Sequence, residues 1–170
     1  MIDNMSTLKV SIIKSEVLVE VGRQTGYIGK KTDNDDGTYD KVAAIEPDNA
    51  MLGQFWNEGT NIVVNEMKSF RGSFCTSDNV GENLATVDGF FAECTMNDNW
   101  NTSLEEFVNK SIFRFLVNYI IYRWFMLMMR LDDAMEYDKI ANAQLSKAIE
   151  CMYETKRPSH GYNRPIPEGL

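Results

Sequence analysis

The chain has 170 residues, about one domain, and is long enough to bury a core without disulfide or metal staples. Its 44% hydrophobic and 25% charged content excludes disorder of the chain as a whole. A formal charge of -8 excludes the basic footprint of a protein that grips nucleic-acid phosphates, although not that of a protein which DNA merely passes.

The first residues, MIDNMSTLKVSIIKSE, interrupt their apolar positions with Asp3, Lys9, Lys14 and Glu16 and so do not read as a signal peptide. A first helix is expected from a Ser6 or Thr7 N-cap to about Gln24, because Leu8, Ile12, Ile13, Val17, Leu18 and Val21 recur at helical spacing. Gly22, Gly26 and Gly29 weaken and end it, and Lys30 to Asp40 is a polar, turn-forming loop. A second helix, Ala50 to Phe70, follows Pro47 and an Asp48 N-cap, with Met51, Leu52, Phe55, Trp56, Ile62, Val63 and Met67 on its apolar side. Gly53 and Gly59 within it allow another backbone to approach closely, and Gly72 is the natural stop.

From about residue 71 to 100 the texture changes. Ser73–Thr76 and Thr86–Met96 favour strands around the turn-forming Ser77–Asn83, which predicts a short β-hairpin or structured loop between helices. A third helix, Ser103 to Leu131, opens on a Ser103/Glu106 capping box. A fourth, Ala134 to about Thr155 with Asp132 as N-cap, follows so closely that the pair must be antiparallel. Lys156 to Leu170 holds three of the four prolines and reads as an extended arm. The expected fold is mainly α: a small bundle of about four helices in one domain, residues 1–155, with a β-excursion and a C-terminal arm, residues 156–170.

Ile112 to Leu131 is the sole membrane suspect, and Arg114, Asn118, Arg123 and Arg130 make it a buried helix instead. Those arginines need partners, for which Asp132, Glu136 and Glu150 are candidates. From Ile112 onward this helix is apolar on nearly every face. Tyr122 to Met129 offers more apolar surface than three partner helices should cover, which points to a second subunit. Tyr122, Trp124, Phe125, Met128 and Met129, together with Lys156, Arg157, Tyr162 and Arg164 of the arm, are therefore the candidate interface residues.

Reactive chemistry finds little footing. The acidic loop misses two EF-type calcium ligands when Gly37 is set at the turn, since Thr32 and Ala43 fall where Asp and Glu belong. Cys75, Cys94 and Cys151 lack a CxxC pair and read as reduced thiols of a cytoplasmic maturation environment. With His160 they are too scattered for a structural zinc site or a catalytic dyad. GYIGKKT follows a helix rather than a strand and lacks the first glycine of a phosphate loop. Glu105, Glu106, Asp132 and Asp133 sit at helix starts, where the dipole explains them. No catalytic, cofactor or metal residue is expected.

The order AMLGQFWNEGTNIVVNEMKSF, β-excursion, LVNYIIYRWFMLMMR, helix and KRPSHGYNRP, from about Asp48 to Leu170, resembles the head–tail connector (adaptor) proteins of tailed bacteriophages. Val117 to Lys156 and the opening VLVEVGRQTGYIGKK are similar to connector-like proteins of Bacteroides-type phages and prophages. The longer N-terminal helix and acidic loop depart from the family pattern. The resemblance implies a virion neck protein assembled in the bacterial cytoplasm. It would form a ring, commonly of about twelve copies, under the portal, with double-stranded DNA passing through the lumen and the arm docked on an adjacent neck or tail protein. A tail terminator or tail-completion protein is the structural alternative, and a small metal-dependent enzyme or regulator the alternative of another class.

Overall fold

The computed structural model describes residues 6–32, 43–44, 49–76 and 88–156. It is mainly helical, as expected, with four α-helices and a small antiparallel sheet among the described residues. The order is β1 (Thr7–Ile13), α1 (Lys14–Thr32), α2 (Asn49–Met67), β2 (Arg71–Thr76), β3 (Gly89–Thr95), a 3-10 turn (Thr102–Leu104), α3 (Glu105–Leu127) and α4 (Leu131–Tyr153).

The first expected helix is two elements. Leu8, Val10 and Ile12 are buried while Thr7, Lys9 and Ser11 are exposed, the two-residue alternation of a strand with one solvated face. β1 runs straight into α1, where Lys14 donates its backbone N–H to Asp88 O at 3.1 Å and pairs its ammonium with the Asp88 carboxylate at 3.2 Å. α1 continues through all three glycines that were expected to end it. A Cβ on Gly22 would lie 3.1 Å from Ala44 O, so the missing side chain admits the returning backbone. Thr25 fastens that contact: its hydroxyl donates to Val21 O at 2.8 Å and accepts from Ala44 N–H at 3.0 Å. Lys30–Thr32, expected to open the acidic loop, are the last residues of α1 instead, and residues 33–40 lie outside the described residues.

The β-excursion is not a free-standing hairpin. β3 is the centre of a three-stranded antiparallel sheet ordered β1-β3-β2, with Leu8 opposite Cys94, Val10 opposite Ala92 and Ile12 opposite Phe90. β2 pairs along the other side from Arg71 opposite Thr95 to Thr76 opposite Phe90. Since two strands alone are marginal in water, β1 supplies what the excursion lacked.

α3 is the central element. Val108, Ile112, Phe115, Leu116, Ile120, Ile121 and Phe125 are all within 1% of full burial, and the helix touches β1, α1, α2 and α4. α2 comes close at Gly59, where an added Cβ would sit 3.1 Å from both Leu116 and Tyr119 side chains. The Ser103/Glu106 capping box does not form. Asn101 caps the 3-10 turn instead, its Oδ1 accepting from Ser103 N–H at 3.3 Å and Ser103 Oγ at 2.7 Å, while Glu106 pairs with Lys110.

α3 also ends four residues before the expected Leu131, and α4 starts at Leu131 rather than Ala134. The two are antiparallel: Phe125 meets Tyr137 beside the connection, and Trp100 Nε1 donates to Cys151 O at the opposite end. Thr155 bridges to Trp100, and Lys156 N–H donates to Asn99 O at 2.7 Å. The arm beyond Lys156 lies outside the described residues.

Candidate assembly surface

The connection from α3 to α4 is three residues long and sharply turned. Met129 N–H donates to Met126 O at 3.2 Å and Arg130 N–H donates to Phe125 O at 2.9 Å. These are the paired bonds of a Schellman helix end, whose reversing residue must be left-handed and is usually glycine. Here it is Met129, with φ 59°, the sole positive-φ non-glycine among the described residues. A side chain in that conformation costs roughly 1–2 kcal/mol. Arg130 locks the turn from outside, its Nε and Nη2 each 2.7 Å from Asp133 Oδ2 and its guanidinium 5.3 Å from the Phe125 ring centre.

This turn holds up a cluster of apolar side chains. Met129 is 83% exposed, Met135 58%, Leu131 54%, Leu127 52% and Met126 41%. Contiguous apolar patches of roughly 300–600 Å² are the largest a typical monomer shows, and are often functional. Asp132 and Glu136, both exposed, flank it with negative charge.

The interface residues expected from sequence divide three ways. Trp124 and Phe125 are 5% and 0% exposed and belong to the chain's own core, so they are not available to a neighbour. Tyr137 of α4 packs on Phe125, and the burial of both side chains corrects the expectation that three partner helices would fall short at these two positions. Tyr122 and Met128 are half-buried, Tyr122 edge-on to Tyr119 with ring centres 5.9 Å apart. Met129 and Lys156 are exposed. Arg157, Tyr162 and Arg164 lie outside the described residues. Met126 and Leu127 fell within the expected Tyr122–Met129 span without being singled out, and sequence reasoning missed Leu131 and Met135. The signal was MLMMRLDDAM, an apolar run meeting the acidic start of a new helix, which requires a chain reversal where side chains cannot be covered on all sides.

Arg123 of α3 and Arg130 of the connection find different partners from those expected. Arg123 Nη1 lies 2.6 Å from Glu58 Oε2, with its guanidinium 5.2 Å from the Phe55 ring centre, and so joins α3 to α2. Arg130 takes Asp133. Glu105 accepts from Lys9 N–H at 3.2 Å, and Asn109 accepts from Ser11 N–H at 2.9 Å while donating to Lys9 O at 2.8 Å. These two side chains occupy the outward backbone groups of β1, so that edge of the sheet cannot accept another strand.

Cys94 is fully buried, and burial pushes its thiol up to about 11, far from the thiolate a nucleophile or metal ligand requires. Burial also raises Cys151. Among the described residues no three His, Cys, Asp or Glu side chains converge on a metal-sized site, and GYIGKKT is continuous helix. No described helix is long and apolar enough to cross a membrane. No protein-family model, curated protein or solved structure matches the chain.

Proposed function

We propose that this chain is a structural assembly subunit of a tailed-phage neck, packing with copies of itself into a ring between portal and tail through which DNA passes. The observation that carries the assembly part is Met129. A left-handed methionine, 83% exposed in the middle of an apolar corner, is dearer to the isolated fold than glycine would be. Strained residues persist where function holds them, and covering by another subunit is the simplest function for an apolar side chain. The phage part rests on the resemblance of the α2-to-arm sequence. The net charge of -8 suits a channel that must not retain DNA.

Native mass spectrometry and light scattering of the purified chain, alone and mixed with portal protein, test this reading. Closed oligomers, or particles carrying both proteins, are expected. A monodisperse 19.4 kDa species that never joins portal particles overturns it.

A further inference from the structure

A second surface, remote from the methionine corner, runs between α2 and α4. It is an open groove of about 440 Å³ with Ile62, Leu145 and Ile149 along its floor, Glu66 and Glu150 on its rim and Asn142 towards one end. One turn beyond Glu150, the Phe70 and Tyr153 rings lie tilted against each other at 4.8 Å and the Ser69 and Tyr153 hydroxyls meet at 3.2 Å. Glu66 and Glu150 are exposed, and neither has an ion pair or hydrogen bond among the described residues. An apolar floor between two unneutralised carboxylates fits an extended segment that carries both apolar and cationic side chains.

We infer that this groove is the docking site for residues 157–170 of the same chain. That stretch, RPSHGYNRPIPEGL, offers Arg157 and Arg164 to the two carboxylates and Tyr162 and Ile166 to the floor, with Glu168 its one acidic side chain. Its three prolines reduce the entropy lost on ordering. The described chain delivers it to the right place: Lys156, held on Asn99, lies three residues past the end of α4, the helix that forms one wall. Fourteen residues at about 3.1 Å each reach roughly 43 Å, whereas the groove from Asn142 to Glu150 extends about 12 Å along α4. A short tether holds its segment at an effective concentration near the millimolar range, which favours the same chain over another copy. The inference does not depend on the neck reading.

The test uses the full chain with the photoreactive residue benzoylphenylalanine in place of Tyr162, irradiated as an equal mixture of isotopically light and heavy protein. Mass spectrometry of the peptides is expected to find adducts within one chain on the segments around 62–66 and 142–150. Their yield should fall about fivefold in a Glu66→Lys/Glu150→Lys variant, and likewise on raising salt from about 0.05 to 1 M, because both changes remove the attraction of exposed charges. Both substitutions lie on solvated positions, and an unchanged circular dichroism melt confirms that the fold is intact. Adducts elsewhere on the chain, light–heavy adducts, no adducts, or a yield indifferent to the charge reversal would each overturn the inference.

Discussion

Met129 shows how one residue type can set local stability against an outer surface. Its left-handed backbone costs roughly 1–2 kcal/mol, of which glycine would recover all but the roughly 0.4–1 kcal/mol that its freer unfolded chain returns. Met129→Gly should therefore raise the urea-unfolding stability of the monomer by about 0.5–1 kcal/mol. The same variant should weaken self-association, read by light scattering at matched concentration. If the variant is less stable, the side chain serves the monomer and the assembly reading of the corner loses its basis. Cys94 makes the opposite point, a reactive residue type made inert by its place. Its folded value of about 11 stands above the ordinary 9.0, so the neutral thiol is favoured in the folded state. The resulting stability is fully present below about pH 9 and lost as pH rises through about 11. That loss should be on the order of 2–3 kcal/mol. The difference in slope between the wild type and Cys94→Ala over that window isolates it from tyrosines and lysines titrating nearby.

At the scale of elements, the long apolar helix was legible from its length and unbroken helix-compatible run, its successor from a helical period, and the β-excursion from strand-favouring residues around turn formers. β1 was not. Leu8 and Ile12 stand four apart, a spacing that satisfies both the helical and the strand period, and Val10 alone separates the two readings. The fused junction at Lys14 hid the boundary further, since no turn residue marks it. Gly22 misled for a related reason: its value lies in a contact with Ala44, distant in sequence and invisible to local propensity. The same holds for Asn109, a mid-helix residue of ordinary aspect that imitates a neighbouring strand by both accepting from and donating to β1. Asn109→Ala should cost about 0.5–1.5 kcal/mol, because Ser11 N–H and Lys9 O, both exposed, exchange their partner for water. It also reopens a sheet edge, so aggregation on mild heating, followed by turbidity and thioflavin fluorescence, should rise above that of an equally destabilised core variant. Equal aggregation in the two would mean that Asn109 contributes stability alone.

For the whole molecule, the division between core and surface falls inside a single stretch, Tyr122 to Met135. The apolar excess visible in the sequence is real, but its first half lies inside the chain, where Trp124 and Phe125 are buried and Tyr137 packs on Phe125. Only the part after Phe125 reaches the outside. Folding and assembly should therefore separate by mutation across one turn of chain. Phe125→Ala empties a fully buried ring site and should cost about 3–5 kcal/mol, lowering every property that needs a folded chain. Leu127→Lys with Leu131→Glu strips the corner of apolar surface at positions that are 52% and 54% exposed. Each new charge also suits the end of the helix it joins, cation at the C-terminus of α3 and anion at the N-terminus of α4. That double variant should keep the monomer within about 0.5 kcal/mol of the wild type, while abolishing the oligomers seen by native mass spectrometry. A folded double variant that still assembles would place the intersubunit contact elsewhere, and a double variant that unfolds would mean that the corner belongs to the core after all.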